Sequence, residues 1–156
     1  MKFEHLIEIN DPMNPLLDEI SRLQLWRGLV LRAEQPGLFI PHLDECEIIE
    51  RSSDALQRRL RFGDLIVLDR VSYIPQLQVL YTVPAQEEIP ASLLAMRIEE
   101  PQTGHLFVRF EYDDHKSAEE DAANAMYDDF RRSAYLEADL DTIRLIRQFV
   151  AEGKLG

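Results

Sequence analysis

The sequence has little cysteine and little glycine: Cys46 is the only cysteine, and six glycines occur among 156 residues. A single thiol excludes an internal disulfide and is typical of a reducing compartment. No apolar run approaches the roughly 20 residues that cross a bilayer. The first ten residues alternate charged and apolar side chains, which is unlike a signal peptide. We therefore expect a cytoplasmic protein that does not insert into membranes.

Positive charge is also scarce, since 17 Lys and Arg stand against 29 Asp and Glu, for a formal net charge of −12. Nucleic acids and anionic lipid surfaces attract basic proteins, so this balance argues against both as partners. Hydrophobic residues make up 46% of the chain, which is enough for a full core. At this length we expect one domain over residues 1–156.

The motifs of common enzymes are missing as well. The four histidines are scattered and form no HxH or HExxH pattern, and there is no GxGxxG, P-loop or GxSxG sequence. Asp113-Asp114-His115 holds possible metal ligands, but it lies in a polar turn predicted before a helix. The sequence therefore predicts no catalytic residue, no metal site and no cofactor.

The elements that are present follow a clear order. Residues 2–10 alternate as a half-buried strand. Ser21 and Gln24 match a capping box ahead of a helical apolar stripe, and Pro36 ends that helix before a short helical turn at 37–41. Turn residues then separate six strand-like runs. These runs lie at about 43–50, 55–62, 65–73, 77–83, 92–100 and 105–112.

A long helix ends the chain, because no Gly or Pro occurs from Ser117 to Glu152. An aspartate at 139 or 141 can cap a new turn, so the sequence leaves open whether the helix kinks near 139–141. The apolar stripe predicted to face the sheet consists of Ala122, Met126, Phe130 and Ala134.

This order predicts an α+β fold in which a curved, seven-stranded antiparallel sheet wraps around the C-terminal helix. The strands have few interior glycines, so they must bend at β-bulges. A helix laid across a curved sheet leaves space between the two. The sequence therefore favours a container over an active-site scaffold.

Turn lengths predict which residues face that space. A two-residue turn at Gly63-Asp64 puts Arg58 opposite Asp69. A three-residue loop at 74–76 then puts Tyr81 opposite Asp69, and Cys46 falls opposite Arg58. These four side chains would form a polar row across the apolar inner face of the sheet.

The polar row has two interpretations. An inward Arg and Asp must pair, since a lone buried charge costs several kcal/mol. The pair either holds the register or anchors a ligand inside an apolar cavity; a one-residue slip would put both charges in water. For Trp26, Met96 and Met126, ordinary core packing competes with a ligand contact. The residues predicted to line the cavity are Trp26, Cys46, Arg58, Asp69, Tyr81, Met96, Phe110, Tyr112, Met126 and Phe130.

Several segments resemble the DUF1857, or AtaL-like, family of the START/Bet v 1-like (SRPBCC) superfamily. The resemblance implies a helix-grip fold with a deep apolar cavity between the sheet and the C-terminal helix. The superfamily includes lipid-transfer domains, plant hormone and allergen proteins, polyketide cyclases and aromatases, and co-chaperone-like domains. The AtaL-like branch supplies no catalytic residue. The matching segments are Gln24–Leu29 with Arg32–Glu34 and Pro36, Leu60–Gly63, Ile98–Pro101, Leu106–Phe110 and Ala138–Thr142.

Three functions are compatible with these features. The first is a binding or carrier protein for a small apolar or aromatic ligand, lipid- or polyketide-like. The second is a cyclase- or aromatase-like enzyme in which Arg58, Asp69 and Tyr81 assist, although an Asp beside an Arg has a lowered pKa and is a poor acid. The third is a protein-interaction module that docks through its acidic long helix. We expect a monomer or a weak homodimer.

Overall fold

The computed structural model describes residues 1–156, and its elements follow the predicted order. The strands are β1 (Lys2–Asn10), β2 (Glu45–Arg51), β3 (Ala55–Phe62), β4 (Leu65–Ile74), β5 (Gln78–Val83), β6 (Ser92–Gln102) and β7 (His105–Asp113). The helices are α1 (Arg22–Glu34), α2 (Ala118–Ala123) and α3 (Ala125–Ala151), with a short 3-10 helix at Pro36–Leu38. All strands pair antiparallel in one sheet of order β1-β7-β6-β5-β4-β3-β2.

The start of α1 is the predicted capping box. The Ser21 hydroxyl accepts a hydrogen bond from the Gln24 backbone N–H, and the Gln24 side chain accepts one from the Ser21 N–H. These two bonds satisfy backbone donors that a helix start leaves free. The helix ends at Glu34, ahead of Pro36.

The sheet bends at bulges, as its shortage of glycine predicted. The pairing register shifts between Glu8 and Asn10, between Ile48 and Glu50, and between Glu99 and Gln102. Each shift inserts extra residues on one strand and increases its local twist and bend. The sheet therefore curves around a core that it shares with α1 and α3. Six fully buried residues of that core are Ile9, Leu25, Leu29, Val79, Val108 and Ile146.

The β3–β4 hairpin has the predicted register. Gly63 adopts a φ of +60° in the two-residue turn, a conformation that glycine reaches without the strain of a Cβ atom. Phe62 then pairs with Leu65, and Arg58 pairs with Asp69. Both charged side chains face inward and are buried.

The predicted register of the next hairpin is wrong by two residues. Strand β4 continues to Ile74, and Leu77 donates a backbone hydrogen bond to the Ile74 carbonyl across a turn with Gln76 at a φ of +59°. Tyr81 consequently pairs with Val71 instead of Asp69. Because side chains alternate with period two, this shift keeps Tyr81 on the inner face.

Cys46 is also displaced by two residues from its predicted position. It pairs with Leu60, and Ile48 lies opposite Arg58. The thiol is half-buried. It therefore keeps the predicted face of the sheet but does not lie directly opposite the arginine.

The long helix is interrupted at Asn124 and is continuous through 139–141, where the sequence left a kink open. The Asn124 side chain donates to the Glu120 carbonyl and competes with the backbone there, which is a known reason for helix interruption. Helix α3 then runs unbroken from Ala125 to Ala151. Asp139 caps nothing, because its carboxylate is buried against the sheet.

The rotation of α3 also differs from the prediction. Met126 is 89% exposed and Phe130 is 78% exposed, so both point to solvent. The C-terminal half of the helix sets this rotation, because Ile143, Ile146 and Phe149 pack into the core. Asp128 lies 18 residues before Ile146, which is five helical turns and therefore the same face. No helix of the protein is long and apolar enough to cross a membrane.

Candidate functional site

A cavity of about 280 Å³ lies between the inner face of the sheet and the N-terminal half of α3. Eleven of its eighteen lining residues are hydrophobic. Strands β3 to β7 supply most of the wall. The rest of the lining consists of Met1, Arg32, Ile40, Asp114, Arg131 and Tyr135. This volume is at the lower end of ligand pockets, which run from about 300 to 1,000 Å³. The apolar lining includes Leu60, Phe62, Val67, Val83, Leu93 and Leu94.

Arg58 and Asp69 form a two-pronged ion pair in one wall of the cavity. Arg58 Nε donates to Asp69 Oδ1 at 2.9 Å, and Nη2 donates to Oδ2 at 2.6 Å. Arg58 Nη1 donates at 2.8 Å to the carbonyl of Ala33, near the C-terminus of α1. Burial opposes the charge on Arg58, but these bonds with Asp69 outweigh it and raise the pKa of the guanidinium. The pair is therefore neutral overall and fixed in orientation.

Tyr81 lies next to that pair and is 5% exposed. The guanidinium carbon of Arg58 is 5.2 Å from the centre of the tyrosine ring, and that of Arg32 is 5.1 Å from it. Both distances are in the range of cation–π attraction. The Tyr81 hydroxyl is buried and has no hydrogen-bond partner. It is a free polar group in a largely apolar wall.

The helix side of the cavity is polar and tightly paired. Arg131 of α3 donates to Asp114 at 2.9 Å and to Asp128 at 3.3 Å. It also donates to the Tyr135 hydroxyl at 3.1 Å. The Tyr135 ring stacks on Tyr112 of β7 with centroids 4.0 Å apart. These contacts hold Asp128 inward, where the sequence predicted the Met126 stripe.

Behind Tyr112 lies a buried chain of polar groups that the sequence analysis missed. The Tyr112 hydroxyl donates to the two oxygens of Asp139, at 2.8 and 2.7 Å. His5 Nε2 lies 2.8 Å from Asp139 Oδ2, while His5 Nδ1 is buried without a partner. Burial raises the pKa of Asp139, and the bonds from Tyr112 and His5 oppose that rise only in part. Burial, reinforced by Asp139, also raises the pKa of Tyr112.

A signal for this chain was present in the sequence. His5 alternates with apolar residues on β1, and Asp139 lies on the face of Ile146 and Phe149 when the helical period is counted from the C-terminus. A charged residue on an apolar helix face needs a buried partner. Only the tertiary fold identifies that partner, because Tyr112 and His5 are far from Asp139 in sequence.

Of the ten predicted cavity residues, the structure places Arg58, Asp69, Tyr81 and Tyr112 in the lining. Cys46 is half-buried outside it, and burial raises the pKa of its thiol. Met126 and Phe130 are exposed on α3, so their predicted inward position is corrected. The remaining three lie outside the lining. Trp26 packs edge-on against Tyr73, and Met96 and Phe110 are fully buried in the core.

One group of side chains has the spacing of metal ligands. Oxygen and nitrogen atoms of Glu8, Asp11 and His105 lie within 4.8 Å of one another near the protein surface. His105 Nε2 is 2.8 Å from Glu8 Oε2, which is an ordinary hydrogen-bond distance. This group is remote from the cavity lining and takes no part in it.

Solved structures share this architecture. The Zhui aromatase/cyclase from a Streptomyces species is 16% identical over 96% of this chain and 95% of its own, with a TM-score of 0.61. The di-domain aromatase/cyclase StfQ from the steffimycin biosynthetic pathway is 12% identical over 97% of this chain and 50% of its own, with a TM-score of 0.63. Ara h 8.0201 is 14% identical over 95% and 98%, with a TM-score of 0.58.

These likenesses establish the fold, which is the helix-grip fold of Bet v 1-like proteins. A search of curated protein sequences finds no significant match. A family model described as acetylaranotin biosynthesis cluster protein L matches residues 7–153, which is nearly the whole sequence. The chain therefore belongs to the AtaL family.

Proposed function

We propose that the protein binds a small apolar or aromatic molecule in the cavity between the sheet and α3, as a carrier or binding protein of the cytoplasm. The observation that carries this proposal is the cavity itself: largely apolar walls surround a few fixed polar groups. Binding pockets have this composition, since apolar surface supplies affinity and polar groups set orientation. The Arg58–Asp69 pair and the Tyr81 hydroxyl are the orienting groups.

The similar solved structures support a ligand of this kind. Two of them are named as aromatase/cyclases, one from a pathway that builds steffimycin. Their shared fold makes a lipid- or polyketide-like molecule a reasonable class of ligand for this chain, although fold alone does not assign function. The net charge of −12 supports a small molecule over nucleic acid as partner.

Blocking the cavity tests the proposal. Val67 lines the cavity, whereas its neighbour Leu68 lies on the outer face of the same strand and is exposed. We expect Val67→Phe to fill the cavity and abolish ligand-induced stabilisation, and Leu68→Phe to retain it. Thermal-shift screening against fatty acids, anthraquinones and aromatic acids measures this effect. A ligand at 100 times its Kd stabilises by about 2.7 kcal/mol.

Native mass spectrometry of the purified protein provides the second measurement. The proposal is supported if a bound molecule is present in the wild type and in Leu68→Phe but is lost in Val67→Phe. Equal binding to both variants places the ligand elsewhere and contradicts it. So does the absence of any bound species or thermal shift across the panel.

A second candidate function is a cyclase- or aromatase-like enzyme. The observation that favours it is the chain from Tyr112 through Asp139 to His5, because a buried carboxyl with a raised pKa is suited to proton transfer. Asp69 is a weaker candidate, since both of its oxygens accept hydrogen bonds from Arg58. Turnover of a poly-β-ketone thioester that is lost in Asp139→Asn, with binding retained, would favour the enzyme. Binding without any turnover favours the carrier.

A further inference from the structure

The cavity contains one positive charge that has no partner. Three arginines line it: Arg58 is paired with Asp69, and Arg131 is paired with Asp114. Arg32 is the third and is partly buried. It forms no salt bridge, and its Nε atom, the one nitrogen of the side chain that is fully buried, has no hydrogen-bond partner. Buried polar side chains in folded proteins are almost always hydrogen-bonded. An unpartnered cation in a cavity therefore needs an explanation.

Tyr81 lies beside Arg32 in the cavity lining, with its ring centre 5.1 Å from the guanidinium carbon. The ring face attracts the charge of Arg32 but supplies no hydrogen-bond acceptor atom. An acidic group in the cavity would supply both a negative charge and hydrogen-bond acceptors.

We infer that the ligand is a small carboxylic acid whose carboxylate binds the guanidinium of Arg32. This inference rests on the proposed function and names the ligand class for the same cavity. The apolar or aromatic body of the acid would lie against Leu60, Val67 and Leu94. A bond between a guanidinium and a carboxylate is charge-assisted, and it is about twice as strong as a bond to a neutral carbonyl.

The surroundings favour a singly charged acid over a phosphate. Asp113 lines the cavity and has no arginine or lysine partner. A dianion would be repelled by this carboxylate, whereas one negative charge balances the one arginine without an ion pair. The volume of about 280 Å³ limits the ligand to a small molecule.

Arg32 also has a competing structural role that the experiment must separate. Burial raises the pKa of Asp139, and Arg32 lowers it slightly through its charge, although the two form no hydrogen bond. If Arg32 served mainly as a distant counter-ion for Asp139, its removal would destabilise the protein. If it serves the ligand, the unliganded protein should lose nothing when the charge is removed.

Matched acids and amides test the inference by isothermal titration calorimetry at pH 7.5. The probes are 1-naphthoic acid with 1-naphthamide, and cinnamic acid with cinnamamide. We expect the wild type to prefer each acid over its amide by about 10-fold or more, as a charged hydrogen bond provides. Arg32→Gln should remove this preference. Arg70→Gln, an exposed arginine on β4, is the control and should behave as the wild type.

The outcomes separate the inference from the proposed function. If acids and amides bind equally, and Arg32→Gln changes neither, the cavity binds ligands and the carboxylate inference is overturned. If no probe binds to the wild type, the proposed function and the inference both fail. A third outcome combines two results: the Tm of unliganded Arg32→Gln falls by several degrees, and both Arg32→Lys and Arg32→Gln still prefer the acids. This outcome assigns Arg32 a structural role and also overturns the inference.

Discussion

The buried Arg58–Asp69 pair makes a specific prediction about stability. Both side chains are almost fully buried, and they share two hydrogen bonds. Asp69→Leu leaves the arginine charged and unpaired inside the protein, and Arg58→Met leaves the aspartate in the same position. We expect each single substitution to be far more harmful than the removal of both charges together.

The size of the effect follows from the contacts. Breaking a buried pair costs about 3–5 kcal/mol because one charge remains uncompensated. Arg58→Met also frees the Ala33 carbonyl, which adds about 1–3 kcal/mol. The double variant Arg58→Met/Asp69→Leu has no buried charge, so only the carbonyl cost of about 1–3 kcal/mol remains. The coupling between the two positions is therefore at least about 3 kcal/mol.

Urea denaturation and differential scanning calorimetry of the four proteins measure this coupling. For a domain of this length, about 1 kcal/mol shifts the Tm by about 2–4 °C. Asp69→Leu should therefore melt about 6–20 °C below the wild type, and Arg58→Met about 8–32 °C below it. The same cycle on Arg109 and Glu99 is the control. This second pair lies on the solvated face of the sheet, where a coupling below about 1 kcal/mol is expected.

Two results would refute the reasoning. The first is a double variant as unstable as the worse single variant, which would mean that the pair provides shape or specific bonds beyond charge neutralisation. The second is a single variant that loses less than about 1 kcal/mol, since that is the cost of breaking an exposed pair. The second result would show that water reaches the inner face of the sheet at this point.

Two other predictions concern the packing of the helices and the thiol. A Cβ atom at Gly28 of α1 would lie 2.6 Å from the Ile146 side chain of α3, so Gly28→Ala should lower the free energy of unfolding in urea by about 1–2 kcal/mol. In an Ile146→Ala background the clash is gone and only helix propensity remains, so the same substitution should stabilise the protein by about 1 kcal/mol. An unchanged cost in that background would contradict the packing argument. Burial raises the pKa of Cys46, so the folded protein has less thiolate at pH 8 than the urea-unfolded chain. Alkylation of the folded protein by iodoacetamide should therefore be slower, and its rate should rise with pH around a higher midpoint. Faster alkylation of the folded protein would show that the thiol is activated.

The strands and their turns were predictable because their signals are local. Alternating side chains and Gly63 determine the β3–β4 register, and with it the Arg58–Asp69 pair, without reference to the rest of the fold. The predicted register of the β4–β5 hairpin was wrong because its loop consists of residues 75–77 and not 74–76. The choice depends on which residue donates the hydrogen bond that closes the turn, and in the structure Leu77 donates it to the Ile74 carbonyl. The error was two residues, and the inner face was preserved.

The face of α3 was harder to predict because its apolar residues fall on two sides. Met126 and Phe130 form one stripe, and Ile143 and Ile146 form another on the opposite side of the helix. A rigid helix can bury only one of them against the sheet. The packing of its C-terminal half on α1 decides in favour of Ile146, so Met126 and Phe130 turn to solvent.

The sequence by itself determined the order of elements, the bend of the sheet at its bulges and the inward ion pair, because strand alternation and turn chemistry act over a few residues. The tertiary structure decided the rest of the site. Asp139 meets Tyr112 and His5, and Arg32 meets Tyr81, only when α1, α3 and the sheet pack together. Such long-range contacts depend on the rotation of each helix and on which charged side chains pair with each other. Local sequence patterns predict neither of these.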